Sequence, residues 1–174
     1  TRNNAAKYSD YALGQFIKKA KKSSYWQDTI FLVVADHDSR VGGASLVPIE
    51  HFRIPGVILG ESIKAKTDNR LVSQIDLAPT LLSLIGVSGY TPMLGHDLTK
   101  NIPTSKQRAM MQYDKNFAYM TPDAVTVLQP NKDARAFSYQ NKQFTERPIT
   151  KSMIDQAKAH VLFGSLAYKN QWYQ

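Results

Sequence analysis

The chain has 174 residues, 43% of them hydrophobic, and a formal net charge of +8 without a single cysteine. That apolar content suffices for one domain with a real core, while the missing thiols exclude disulfides, thiolate metal sites and cysteine nucleophiles within these residues. The positive charge comes with no RNA- or DNA-binding signature, so nucleic acid is not an expected partner, and no apolar run approaches the roughly 18 residues a membrane-spanning helix needs.

In chain order, Tyr8, Tyr11, Ala12, Phe16 and Ala20 recur at helical spacing. They predict an amphipathic helix over 5–22 with that aromatic set facing a core. Lys18, Lys19, Lys21 and Lys22 close it. They complement the helix macrodipole there, with attraction to an anionic surface as the other reading. Residues 29–35 (TIFLVVA) are an uncharged, largely β-branched run too short for a buried helix, and predict a central parallel strand covered on both faces. The run ends in Asp36 and His37. Ligands of open α/β sheets bind beyond the carboxyl ends of such strands, and a carboxylate oxygen beside an imidazole nitrogen suits Zn²⁺ or Mn²⁺. A strand-terminal pair that merely caps a neighbouring turn is the plainer alternative.

Residues 38–53 hold Gly42, Gly43 and Pro48 with no sustained period and predict a loop, of a length that is often functional. Two of its members are candidates for binding an anionic substrate: Arg40, whose guanidinium can clamp a phosphate or sulfate bidentately, and His51, just ahead of the next strand. Asp38 begins the turn. Residues 55–60 (PGVILG) predict a second short buried strand, and 71–86 a helix starting near Asp76. Ser73 and Asp76 resemble a capping box, Pro79 fits only the first turn, and Gly86 supplies the stop. Residues 87–105 read as loop. Residues 109–113, 124–129 and 134–140 are candidate strands, the last two an antiparallel hairpin joined through Pro130 to Asp133. Thr150 caps a final helix to about Tyr168 with Met153, Ala157, Val161 and Leu162 inward. His96 and His160 read as structural, and so does Asp76.

The order of these segments resembles a known family. The helix at 8–14 (YSDYALG) is followed by Ala35-Asp36-His37, then by 52–59 (FRIPGVIL), 73–82 (SQIDLAPTLL) and 95–98 (GHDL). This is similar to the C-terminal half of a sulfatase-like member of the alkaline phosphatase superfamily, nearest the lipoteichoic acid synthase and phosphoglycerol transferase group. The resemblance is strong over residues 5–100 and looser beyond.

It implies an α/β fold: a partial alkaline-phosphatase-like sheet flanked by helices over 1–105, then a small antiparallel β subdomain with a C-terminal helix over 106–174. It implies a metal-dependent hydrolase or transferase of phosphate or sulfate esters, with a divalent metal, Mn or Zn, held by Asp36 and His37. The nucleophile and a further acidic ligand would lie in an N-terminal half of the same protein, so these residues alone are expected to be an inactive fragment. By the same resemblance the parent sits at the cell membrane with its catalytic domain outside the cytoplasm. A non-catalytic α/β interaction module, and a phosphomutase or nucleotide pyrophosphatase relative, stay open as alternatives.

Overall fold

The strand that ends in Asp36 has an antiparallel partner. In a computed structural model, which describes residues 2–38 and 46–173, β1 (Phe31–Val34) pairs with β2 (Gly56–Leu59), Phe31 opposite Leu59 and Val34 opposite Gly56. The expectation of a parallel strand buried on both faces is therefore corrected. The run is apolar enough for a central position, but in this two-stranded sheet Val34 and Val57 remain 36% and 49% exposed. Gly60, just after β2, sits in close approach: a Cβ there would lie 3.1 Å from the Thr29 carbonyl oxygen and 3.2 Å from Ile63, tighter than ordinary contact.

These strands belong to the first of two units, residues 1–36 with 54–67; the second comprises 37–53 and 68–174. The first unit also holds α1 (Arg2–Ala20) and a 3₁₀ turn at Ser24–Asp28. Its packing concentrates at one spot. Ala20 and Trp26 are buried, and the Phe31 ring stacks on Trp26 at 5.4 Å and meets Phe16 edge-on at 5.8 Å. The indole Nε1 donates to Glu61 at 2.7 Å, so the one polar atom of that ring is satisfied. The rest of α1 departs from the sequence expectation. Residues 3–14 are exposed throughout, and Tyr8, Tyr11 and Phe16 keep 73%, 62% and 49% of their surface. The helical spacing holds and Phe16 does meet Phe31, but Tyr8 and Tyr11 face outward, since helical period identifies a shared face without naming what covers it.

The second unit is built on an antiparallel meander, β3 (Ala109–Tyr113), β4 (Asn116–Met120), β5 (Val125–Leu128), β6 (Arg135–Gln140) and β7 (Gln143–Arg147), in sequential order. Alternation gives it two faces. On one, Met111, Ala118, Val125, Val127 and Phe137 form the core with Val47, joined by Leu46 and by Ile49 and Phe52 of the short helix α2 (Ile49–Phe52). On the other lies α4 (Lys151–Lys169), capped by Thr150, whose hydroxyl accepts from the Met153 N–H. Ala157 of α4 is buried, and the His160 ring packs on Tyr119 at 4.5 Å. Leu162, expected inward, is 51% exposed.

β4 and β7 escaped the sequence reading because their hairpins turn without glycine. Asp114 takes φ 53° between β3 and β4, and Asn141 and Lys142 take φ 49° and 66° between β6 and β7. The latter is the two-residue turn with both φ positive that matches strand twist.

The segment before the meander is fixed by polar groups. The Ser73 and Asp76 capping box forms with both of its bonds, and leads into α3 (Leu77–Leu84), with Pro79 in the first turn. Gly86, at φ 79°, stops α3 while the Val87 N–H reaches back to the Leu82 carbonyl at 2.9 Å.

Candidate functional site

Chain direction alone carries Asp36 and His37 out of the ladder. β1 ends at Val34, Ala35 donates its N–H to the Pro55 carbonyl at 3.2 Å, and the backbone bends at the next two residues. Strand geometry would send adjacent side chains to opposite faces; the bend removes that restriction. Both residues are exposed. The division between units falls between them.

His37 places Nδ1 at 2.8 Å from the Asp38 carbonyl oxygen. A carbonyl accepts only, so Nδ1 carries the proton and Nε2 keeps its lone pair. That is the tautomer in which a histidine serves as a metal ligand, its other nitrogen tied to a backbone carbonyl. The residue types at this bend, one carboxylate and one imidazole, suit Zn²⁺ or Mn²⁺ in chemistry though not in number. Among the described residues no group of three or more His, Cys, Asp or Glu side chains is placed to hold an ion, and a zinc site normally takes three or four protein ligands.

Arg40 lies outside the described residues. His51 sits on α2, within the stretch read from sequence as loop, and is half-buried. Its Nδ1 is buried and meets no hydrogen-bond partner among the described residues. His96 and His160 have the structural roles expected of them. Nε2 of His96 lies 3.1 Å from the Lys106 carbonyl, and Nδ1 of His160 lies 2.8 Å from the Gln156 carbonyl.

Sequence reasoning assigned Asp76 to a cap and missed its partner. The Asp76 carboxylate is 1% exposed. It accepts two bonds from the Arg108 guanidinium at 2.8 and 2.7 Å, one from the Ser73 N–H at 2.8 Å and one from the His96 N–H at 2.7 Å. Burial pushes its pKa up, but the Arg108 bonds and the two backbone N–H groups outweigh burial and hold it below the ordinary carboxylate value. Arg108 also donates to the Leu94 carbonyl at 3.0 Å. One ion pair thus ties the start of α3, the 94–96 segment and the entry to β3. Gly95 is required in the same place: a Cβ there would fall 1.9 Å from the Ile75 carbonyl oxygen. No spacing rule links positions 76 and 108; the only trace in sequence is an arginine directly before an apolar strand.

The mixed α/β fold, with a strand that ends in a carboxylate and an imidazole, can be set beside known proteins. The sulfatase family model matches residues 1–87, half of the chain. The solved structure of a protein in the alkaline phosphatase superfamily from Vibrio parahaemolyticus superposes with a TM-score of 0.95 at 55% identity, covering 100% of this chain and 43% of that one. The chain belongs to the sulfatase family, within the alkaline phosphatase superfamily. It spans less than half the length of the solved relative.

Proposed function

We propose that this chain is the C-terminal part of a metal-dependent phosphoester or sulfoester hydrolase or transferase, of the sulfatase or phosphoglycerol transferase type. The observation that carries the reading is the place of Asp36 and His37, consecutive in sequence at the bend that follows β1, with the His37 Nδ1 2.8 Å from the Asp38 carbonyl oxygen. Both residues lie within the matched family segment. The nucleophile and the remaining ligands would come from the portion of the protein that corresponds to the unmatched 57% (100 − 43) of the solved relative. Exposed Tyr8, Tyr11, Phe16, Val34 and Val57 are apolar surface for that portion to cover, each large side chain contributing about 1.5–3 kcal/mol when fully buried.

A divalent ion, Mn or Zn, would supply Lewis-acid polarisation of the ester oxygens and hold a hydroxyl nucleophile deprotonated. The residues of this chain have separate tasks. Asp36 and His37 hold the ion, and Arg40 and His51 bind the anionic ester head, a phosphate or a sulfate. The parent would be a membrane-anchored protein with its catalytic domain outside the cytoplasm. Among the described residues no helix is long and apolar enough to cross a membrane, so the anchor would lie elsewhere in the protein.

The test is turnover of bis(4-nitrophenyl) phosphate and 4-nitrophenyl sulfate by the intact protein. Activity on one of them should vanish with a chelator and return with Mn²⁺ or Zn²⁺. Asp36→Ala and His37→Ala should each lose more than the roughly 10–100-fold typical of groups one step removed from a metal. Full turnover in both variants overturns the assignment.

A further inference from the structure

The second unit contains a polar clamp that the proposed chemistry does not explain. Glu50 of α2 accepts from the Tyr139 hydroxyl of β6 at 2.9 Å. Its other oxygen pairs with Lys142 Nζ at 3.0 Å, from the turn between β6 and β7. Ile49 and Phe52, on either side of Glu50 and His51, pack on the core face of the same sheet. A four-residue helix is far too short to hold itself, so α2 takes its position from these contacts. Tyr139 is itself set by the Phe144 ring at 5.1 Å. The clamp spans 89 residues of sequence and grips the residue next to His51.

His51 gives the clamp something to position. Its buried Nδ1 lacks a partner among the described residues, and a buried N–H without an acceptor is the rarer defect compared with an under-satisfied acceptor. Nδ1 is therefore the bare nitrogen and Nε2 carries the proton, the reverse of His37. A neutral imidazole in that tautomer is a hydrogen-bond donor to an anionic oxygen.

We propose that Glu50, Tyr139 and Lys142 are positioning residues: the β6–β7 hairpin fixes α2 through Glu50, and so fixes the His51 Nε2–H as a donor to the ester anion. This rests on the functional reading above in assigning His51 an anionic partner. The tautomer and the clamp do not depend on that reading.

The experiment has two arms. In this chain, long-range ¹H–¹⁵N spectra in a buffer at about pH 8.5, above the ordinary imidazole range, assign the four histidines by substitution. The expected result is His51 with a pyridine-type Nδ1 and a protonated Nε2. In Tyr139→Phe, which keeps the ring contact to Phe144, the His51 signals should shift or broaden while those of His96 and His160 stay in place. A protonated Nδ1 in the wild type, or unmoved His51 signals in Tyr139→Phe, overturns the proposal whatever the protein catalyses.

The kinetic arm uses the intact protein and whichever of bis(4-nitrophenyl) phosphate and 4-nitrophenyl sulfate it turns over. Tyr139→Phe should raise KM several-fold with kcat within about twofold, the pattern of lost uniform binding. Glu50→Ala should raise KM to a similar extent, whereas Glu50→Gln, which retains an acceptor for the Tyr139 hydroxyl, should keep most of the wild-type value. If His51→Gln leaves KM unchanged while Asp36→Ala abolishes turnover, the positioning role is overturned and the metal assignment survives. If neither ester is turned over, the functional reading fails while the spectra still decide the clamp.

Discussion

The two units of this chain treat their apolar and polar groups in opposite ways. In the second, Val125, Val127, Phe137 and Ala157 are at most 3% exposed, and the buried Asp76 carboxylate has every oxygen occupied. In the first, only Ala20 and Trp26 are buried among the described residues, and β1 and β2 leave valines open beside a helix whose tyrosines face outward. The second unit thus holds a buried core with a hydrogen-bonded ion pair, although Tyr90, Leu162 and Tyr168 stay exposed on it, and the first is mostly surface. The metal-capable bend lies where the two meet in sequence. Stability and function are separated accordingly: substitutions that unfold the chain should cluster in the meander and α3, and those that disable chemistry should cluster at 36, 37 and 51.

The comparison breaks most readily at Arg108. Arg108→Met leaves the Asp76 carboxylate buried without its cation, and should cost about 3–5 kcal/mol, the range for breaking a buried pair from one side. Chemical denaturation of the two proteins reads the difference, and a cost under about 1 kcal/mol would place the keystone elsewhere. The same pair has a pH signature. Asp76 has a native pKa below its ordinary value of 3.8, so the folded state favours its charged form. That contribution is complete above the ordinary carboxylate range and is lost as pH falls below it through the native value. The stability gap between wild type and Arg108→Met should therefore narrow progressively as pH falls into and below the ordinary carboxylate range; a gap that stays constant or widens contradicts the assignment.

Gly95→Ala comes next. The new methyl would overlap the Ile75 carbonyl, and backbone must move, so a loss of about 1–3 kcal/mol is expected in the same assay. The smallest effect belongs to the first unit. Tyr8→Ser, on the outward face of α1, should change the stability of this chain by no more than about 0.5 kcal/mol. A larger loss would mean that α1 is already packed in solution and that the contrast between the units is overstated.

Much of this was legible in the sequence where local chemistry decides. The capping box at Ser73 and Asp76, the Gly86 stop, the Thr150 cap and the β5–β6 hairpin are all written within a few residues of where they act. β4 and β7 were not legible, because Asp114, Asn141 and Lys142 reach positive φ without the glycine that usually advertises such a turn. The direction of β1 was read wrongly for a different reason: an uncharged run specifies burial in the completed protein, not the orientation of the neighbour it finds. Asp76 with Arg108, and Glu50 with Tyr139, join positions 32 and 89 residues apart, and nothing local records such pairs. At the candidate site, Asp36 and His37 stood out by type and place; the tautomer that equips His37 for a cation required the Asp38 carbonyl.

The central claim is that Asp36 and His37 hold a divalent ion in the intact protein, and metal analysis after gel filtration tests it most directly. Wild type should carry Mn or Zn in stoichiometric amount. Asp36→Ala and His37→Ala should each lose most of it while keeping the wild-type melting temperature of the second unit, since neither side chain belongs to that unit's core. Unchanged stoichiometry in both variants would contradict the account.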